Sequence, residues 1–257
     1  MFDIIKQIYL TSIFYDKKIS TNSTNELQYK PSSYLLSSIV KIRTKKFNID
    51  NFLYDNFWIN KNLSREQLQK LNNFYWLFSL DLKSSNKSVQ TVIKNWIIKN
   101  FKYNSENWNF DITSKRIISW LSNTSLTYDN GGDQFQRDFN LIIYKQTFHL
   151  INQIEKENKI NNKVRGAAAI ILVGLSYKNE KKFIIKGLEY LKKIIRYTFD
   201  NNGFPKSRNI KLSIFFLKHL ILIREWFKES QSEIPNFIDE SIFNLGQSYA
   251  FFWENLK

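Results

Sequence analysis

The sequence predicts an all-α fold, an incomplete α/α toroid of antiparallel helical hairpins. Three observations point there. Glycine and proline are scarce, 7 and 3 in 257 residues, whereas a sandwich or a doubly wound sheet needs many tight turns. Apolar residues recur at helical spacing over long stretches from Ser64 onward. The breaks between those stretches are short, and short connections between long helices make antiparallel neighbours. With 43% hydrophobic and 16% aromatic residues the chain can fill one core. No exact internal repeat is visible, so a solenoid of fixed period is not expected.

Taken in order, Phe2, Ile5, Ile8, Tyr9, Ile13 and Tyr15 fit a short amphipathic helix over residues 2–15. Residues 16–30 are polar and read as a loop. A helix follows Pro31, carrying Leu35, Leu36, Ile39 and Val40, with a strand over 38–43 as the alternative. Residues 47–63 are aromatic-rich without a fixed period. Residues 1–63 therefore read as an N-terminal extension packing on a helical domain at 64–257. Ser64 and Gln67 have capping-box spacing and open a helix towards Leu80. A second helix covers 87–101, with Val89, Val92, Ile93, Trp96 and Ile97 on one face. The loop 103–111 ends on Asp111, a candidate N-cap, and a helix follows over 112–122. Asn130-Gly131-Gly132 is a break before a long helix over 134–158. The stretch 164–177 is apolar nearly all round and carries Gly166, three alanines and Gly174, which marks a central helix that its neighbours approach closely. Further helices are expected over 181–197 and 210–230, and after Pro235.

The sequence excludes several chemistries. With no cysteine there is no disulfide, thiolate metal site or Cys nucleophile. The two histidines, His149 and His219, are far apart, which excludes a His-rich metal site, leaves a mixed site with carboxylates open and argues against a Ser–His triad. No phosphate-binding glycine loop, zinc-protease motif or nucleophile elbow is present. No cofactor is expected. Both histidines lie on apolar helix faces and read as core residues. The helical spacing could place Arg224 in the interior, where it would need a buried acid as partner.

Two constellations remain. The first runs from Trp108 to Trp120. An aromatic on a loop, a helix N-terminus and Arg116 could hold a sugar ring and its carboxylate. Alternatively, Trp108 plugs the core and Arg116 pairs with an acid between helices. The second is Asn201–Asn209, where Gly203, Phe204, Pro205, Lys206, Ser207 and Arg208 crowd between two helices. Its cations could touch an anionic ligand, or it is a plain turn.

These stretches also carry a family resemblance. Trp108, Asp111, Ile112, Lys115, Arg116, Ile117, Ile118, Trp120 and Leu121 follow the order of a Trp-x-x-Asp-[Val/Ile]-x-x-[Arg/Lys]-Arg-[Leu/Ile]-Ile-x-Trp pattern. Asp200, Gly203, Ser207, Arg208 and Asn209 loosely fit a second, Asp-Gly-Gly-His-x-Ser-Arg-Asn run, and Arg224 and Pro235 to Asp239 fit later marks. Over residues 64–253 the chain resembles the N-terminal α/α-toroid part of the heparinase II/III-like family, in the branch common in alphaproteobacteria. The resemblance implies a polysaccharide lyase acting on acidic, uronate-bearing polysaccharides by β-elimination. From the residues of the two stretches, Trp108, Arg116, Lys206, Ser207 and Arg208 form the candidate substrate-binding set. The family's Asn or His motif has no counterpart in Lys163-Val-Arg-Gly-Ala-Ala-Ala169, and the second mark lacks its His and Tyr. No catalytic base is therefore nominated, and Tyr103 and Tyr128 are the nearest by loop position. The family continues into a β-sandwich that would begin about where this chain ends, so such a domain is an expected partner, encoded elsewhere.

The net charge is +15. A polyanion is the functional explanation: an acidic polysaccharide, or nucleic acid as the rival. The structural explanation is that lysines, spread over the chain by a bias towards A/T-rich codons, fill solvent faces. A non-catalytic scaffold or carbohydrate-binding remnant is the third class. The N-terminus has an acid at position 3, a lysine in its apolar run and no cleavage site, unlike a signal peptide. No membrane partner and a cytoplasmic location are the expectations.

Overall fold

The computed structural model describes residues 2–22, 24–40, 64–80 and 85–255. They form helices α1 (Phe2–Thr11), α2 (Ile13–Ile19), α3 (Ser33–Val40), α4 (Arg65–Asn72), α5 (Asn86–Asn100), α6 (Phe110–Leu121), α7 (Thr124–Thr127), α8 (Asp133–Gln153), α9 (Ile160–Ser176), α10 (Lys181–Thr198), α11 (Ile210–Glu229) and α12 (Asn236–Asn255). Among the described residues there is no strand, and β pairing occurs as isolated bridges such as Leu27 with Tyr177 and Phe199 with Pro205. The all-α expectation holds. The aromatic-rich stretch 47–63 lies outside the described residues.

α9 sits at the centre because its sequence offers no broad polar face. Every residue from Gly166 to Ser176 is buried. It packs on α6, α8, α10 and α11. Its small residues set the spacing: the Phe110 ring occupies the space a Cβ on Gly166 would take, and Ile184 does the same at Gly174. Gly187 in turn admits Ile171. Residues 171 and 174 meeting 187 and 184 make α9 and α10 antiparallel.

The side-chain contacts fix the other directions. Trp108 meets His149 and Trp120 meets Phe139, so α6 and α8 are antiparallel. Arg165 in α9 reaches Asp111 in α6 and Phe215 in α11. All three lie in the first two turns of their helices, so α6, α9 and α11 run the same way with their N-terminal ends together. Arg224 bonds Asp239 across the α11–α12 hairpin. That pair lies at the surface, so the interior placement of Arg224 is corrected: it is 36% exposed and paired with Asp239 and Glu225. The connections 101–109, 154–159 and 199–209 all gather at the end where α6, α9 and α11 begin.

Residues 24–32 cross the molecule as a strap held by three acids. Asn25 donates to Glu180 at 2.8 Å, Tyr29 to Glu229 at 2.7 Å, and Lys30 pairs with Asp129 at 2.5 Å. Buried Lys145 pairs with Asp16 at 2.7 Å and ties α2 to α8.

Several boundaries differ from expectation, among them the long helix expected to residue 158, which ends at Gln153. The first helix breaks at Ser12, whose hydroxyl caps α2 by accepting from Tyr15 N. The helix expected over 64–80 stops at Asn72, although its capping box forms. Phe74 takes a left-handed backbone, φ 58°, and a 3-10 turn follows over Tyr75–Ser79. Packing overrides propensity there: the Phe74 ring is buried edge-on against Trp96 and Trp120, and Ser119 Oγ donates to its carbonyl at 2.6 Å. Asn109, not Asp111, caps α6, its side chain accepting from Asp111 N.

Candidate functional site

Asp111, one turn from the cap of α6, is free of capping duty and binds side chains instead. One carboxylate oxygen accepts from Arg165 in α9, and the other pairs with Lys115 at 2.6 Å. Arg165 also donates to Asn162 Oδ1 at 3.1 Å. Its guanidinium lies 5.2 Å from the centre of the Phe215 ring. Lys115 reaches over the Tyr75 ring at 5.9 Å. Arg165 is 18% exposed, and Asp111 and Lys115 are 22% exposed. The group is half-buried yet open to solvent. Two cations against one carboxylate leave a positive excess where three helices begin, and helix N-termini add partial positive charge. Such a place attracts a carboxylate.

His219 stands behind it. Its ring lies 4.1 Å from that of Phe215, and its Nδ1 is 2.8 Å from the Phe215 carbonyl. A carbonyl can only accept, so Nδ1 carries the proton and Nε2 keeps a lone pair. Nε2 has no hydrogen-bond partner among the described residues. Burial, more than nearby Arg165, lowers the His219 pKa to about 4. The ring is neutral at pH 7 and a weak base. Tyr75 is pushed up by burial and keeps its proton.

The sequence-predicted residues fall into two groups. Trp108 and Arg116 are 1% and 0% exposed. Trp108 Nε1 donates to the Asn100 carbonyl at 2.9 Å. Arg116 stacks on Trp96 at 4.0 Å and donates to Gln146 Oε1, the Asn72 carbonyl and Thr113 Oγ1 at 3.1, 2.8 and 3.3 Å. A guanidinium so enclosed touches no external sugar, and no acid pairs with it among the described residues. The binding role expected for Arg116 is thus replaced by a structural one, as is stacking by the Trp108 ring.

Lys206, Ser207 and Arg208 are exposed on the turn leading into α11, at the same end as Arg165. The turn itself is tightly built. Asp200 accepts from the backbone of Asn202 and Phe204 at 3.0 and 2.8 Å. Gly203 has φ 79° and abuts the Asn244 carbonyl of α12, and Ser248 Oγ donates to the Gly203 carbonyl at 2.8 Å. Lys206 Nζ donates to the Arg196 carbonyl at 2.8 Å near the end of α10. Ser207 Oγ accepts from Asn209 N at 3.4 Å. Arg208 has no carboxylate partner among the described residues, and its φ is 58°. The structure thus brings Lys206, Ser207 and Arg208 together and separates them from buried Trp108 and Arg116.

Of the two tyrosines singled out by loop position, Tyr103 lies at the Arg165 end and Tyr128 at the opposite end, after α7. Arg165 and Tyr75 do not figure among the site residues of the sequence reading, whereas His219 is buried as expected of a core histidine. The usable signal was Arg165 itself, a cation in an otherwise apolar helix, which needs a partner. Among the described residues no group of His, Asp and Glu side chains could hold a metal ion, and no helix is long and apolar enough to cross a membrane. Set against known proteins, the chain matches no family model, no curated protein and no solved structure.

Proposed function

We propose that the chain binds an acidic, uronate-bearing polysaccharide at the end of the array where α6, α9 and α11 begin, as the toroid-like part of a polysaccharide lyase. The observation that carries this is the Arg165–Asp111–Lys115 group, half-buried with one cation in excess. A sugar carboxylate exchanges with Asp111 for one face of the Arg165 guanidinium, and exposed Lys206 and Arg208 add attraction from the neighbouring turn. Neutralising the carboxylate is what acidifies the adjacent C5 proton in β-elimination. Tyr75 is protonated and suits the acid role. For removal of the C5 proton the group has His219 behind it, a weak base that is 5% exposed. This favours a second outcome of the same site, binding without cleavage. An incomplete α/α toroid is the matching fold: helices alternate in direction, with α6, α9 and α11 one way and α8, α10 and α12 the other.

The test is calorimetric titration with a panel of uronate oligosaccharides, alongside the ultraviolet absorbance of unsaturated product. Binding with product supports a lyase, and binding without product supports a carbohydrate-binding module. Arg165→Ala is expected to weaken binding at least ~10-fold, the scale of a charge-assisted pair. Equal binding by wild type and Arg165→Ala, or no binding to any acidic sugar, rejects the proposal.

A further inference from the structure

We infer that a second subsite for the acidic sugar chain lies in the cavity between α1 and the connections that enter α6 and α9. Its ligand class rests on the acidic-polysaccharide proposal above. The cavity has a volume of about 260 Å³. That is below the ~300–1,000 Å³ typical of drug-sized ligands and suits one sugar unit. Three kinds of lining meet in it. Lys6 and Lys156 stand on opposite elements of its rim, and neither has a carboxylate partner among the described residues. Ser105 and Asn109 supply a hydroxyl and an amide, and the inner wall is aromatic, Tyr103 against His149 with ring centres 5.3 Å apart. Glu157 also lines it, its Oε1 accepting from Lys159 N at 2.9 Å, so with Lys6 and Lys156 the lining keeps one cation in excess.

The wall is closed chemically as well as sterically. His149 Nε2 is 3.1 Å from the Trp108 carbonyl, so it is the protonated nitrogen, and Nδ1 accepts from the Tyr15 hydroxyl at 2.7 Å. Both ring nitrogens are used, and burial holds the ring neutral. His149 is 2% exposed, so the half-buried Tyr103 ring in front of it is the aromatic surface the wall offers to the C–H face of a sugar. The rim cations suit a carboxylate, and the amide and hydroxyl suit ring hydroxyls. Asn109 and Phe110, which line the cavity, directly precede Asp111. The cavity thus lies beside the Arg165 group, on the path a polymer would take across that end.

The experiment is an NMR titration of the full chain with tetragalacturonate and with a glucuronate-containing tetrasaccharide, using cellotetraose as the neutral control. The wild type is expected to shift the amides of Lys6, Ser105 and Asn109 together with those of Lys115 and Arg165. A Lys6→Ala/Lys156→Ala double variant is expected to lose about tenfold in affinity and the cavity shifts, but keep the shifts at Arg165. Both lysines are exposed, so its fold is preserved. Shifts confined to Arg165 and Lys115, with unchanged affinity in the double variant, overturn the subsite and leave the proposed function standing. Shifts confined to the cavity support the subsite and overturn the Arg165 site. Equal response to cellotetraose overturns the assignment of an acidic ligand, and no response to either acidic probe removes both.

Discussion

Two arginines separate structure from function. Arg116 is sealed against the Trp96 ring with three hydrogen-bond acceptors and no acid among the described residues, and burial drives its pKa well below the usual range for arginine. Arg165 shares an acid with Lys115 at the edge of solvent. Arg116→Ala is expected to cost ~3–5 kcal/mol in urea unfolding, since it opens a cavity and strands buried acceptors. Arg116→Met should recover part of that loss, because it fills volume without a buried charge. Neither should change affinity for an acidic oligosaccharide; a loss of binding at preserved stability would return Arg116 to the site. The histidines make a pH prediction. Burial lowers His149 from 6.5 to about 3 and His219 from 6.5 to about 4. The unfolded chain takes up these protons near pH 6.5 and the folded chain does not, so stability is full above that pH and falls below it. The slope approaches ~1.4 kcal/mol per pH unit for each histidine. Between pH 6.5 and 5, before most carboxylates titrate, His219→Gln should remove about half of the slope in urea midpoints.

At the scale of elements, what could be read from the sequence tracks how local the cause is. The capping box at Ser64, the break at Asn130 to Gly132 and the close-packed α9 are written in neighbouring residues, and they form. The split at Phe74 is not local. It depends on Trp96, Trp120 and Ser119 arriving from other helices, which no window around residue 74 reveals. Asn109 and Asp111 both suit a cap in the sequence, and the Asn109 capping bond together with the position of Arg165 shows that Asp111 is free for another task. The site was legible as a region and not as residues: Asp111 and Lys115 stood in the first constellation, but their partner lies 54 positions on. The 199–209 turn was legible as a break, not as a latch on α12. Gly203→Ala tests the latch. Its φ is 79° and an added Cβ would meet the Asn244 carbonyl at 2.5 Å. A loss of ~1–3 kcal/mol is expected from strain and overpacking. Faster proteolysis within α12 should accompany it. Unchanged stability would show that turn and helix are not coupled.

For the whole molecule the net charge of +15 sets a long-range field, and geometry decides what it serves. Several ion pairs among the described residues are exposed, such as Lys70 with Glu66 and Lys193 with Glu155, and contribute little to stability. The cations without a carboxylate partner among the described residues matter more for encounter with a polyanion. Lys6, Lys156, Lys206 and Arg208 belong to the connections or first helix at the end where α6, α9 and α11 begin, beside the Arg165 group. A field from cations spread evenly over the surface would bind any polyanion and would vanish with salt. A built site adds contacts that salt screens less, because half-buried charges are less accessible to counter-ions. Affinity for polygalacturonate is therefore expected to fall with rising salt along a shallow line corresponding to about 2–4 displaced ions. Single-stranded RNA and duplex DNA of similar length should fall more steeply and lose measurable binding by about 0.2 M salt. Fluorescence anisotropy of labelled polymers across a salt series reads both slopes. Nucleic acid binding that persists at that salt, or exceeds polygalacturonate binding, would make the field rather than the Arg165 group the functional feature and would favour a nucleic-acid partner.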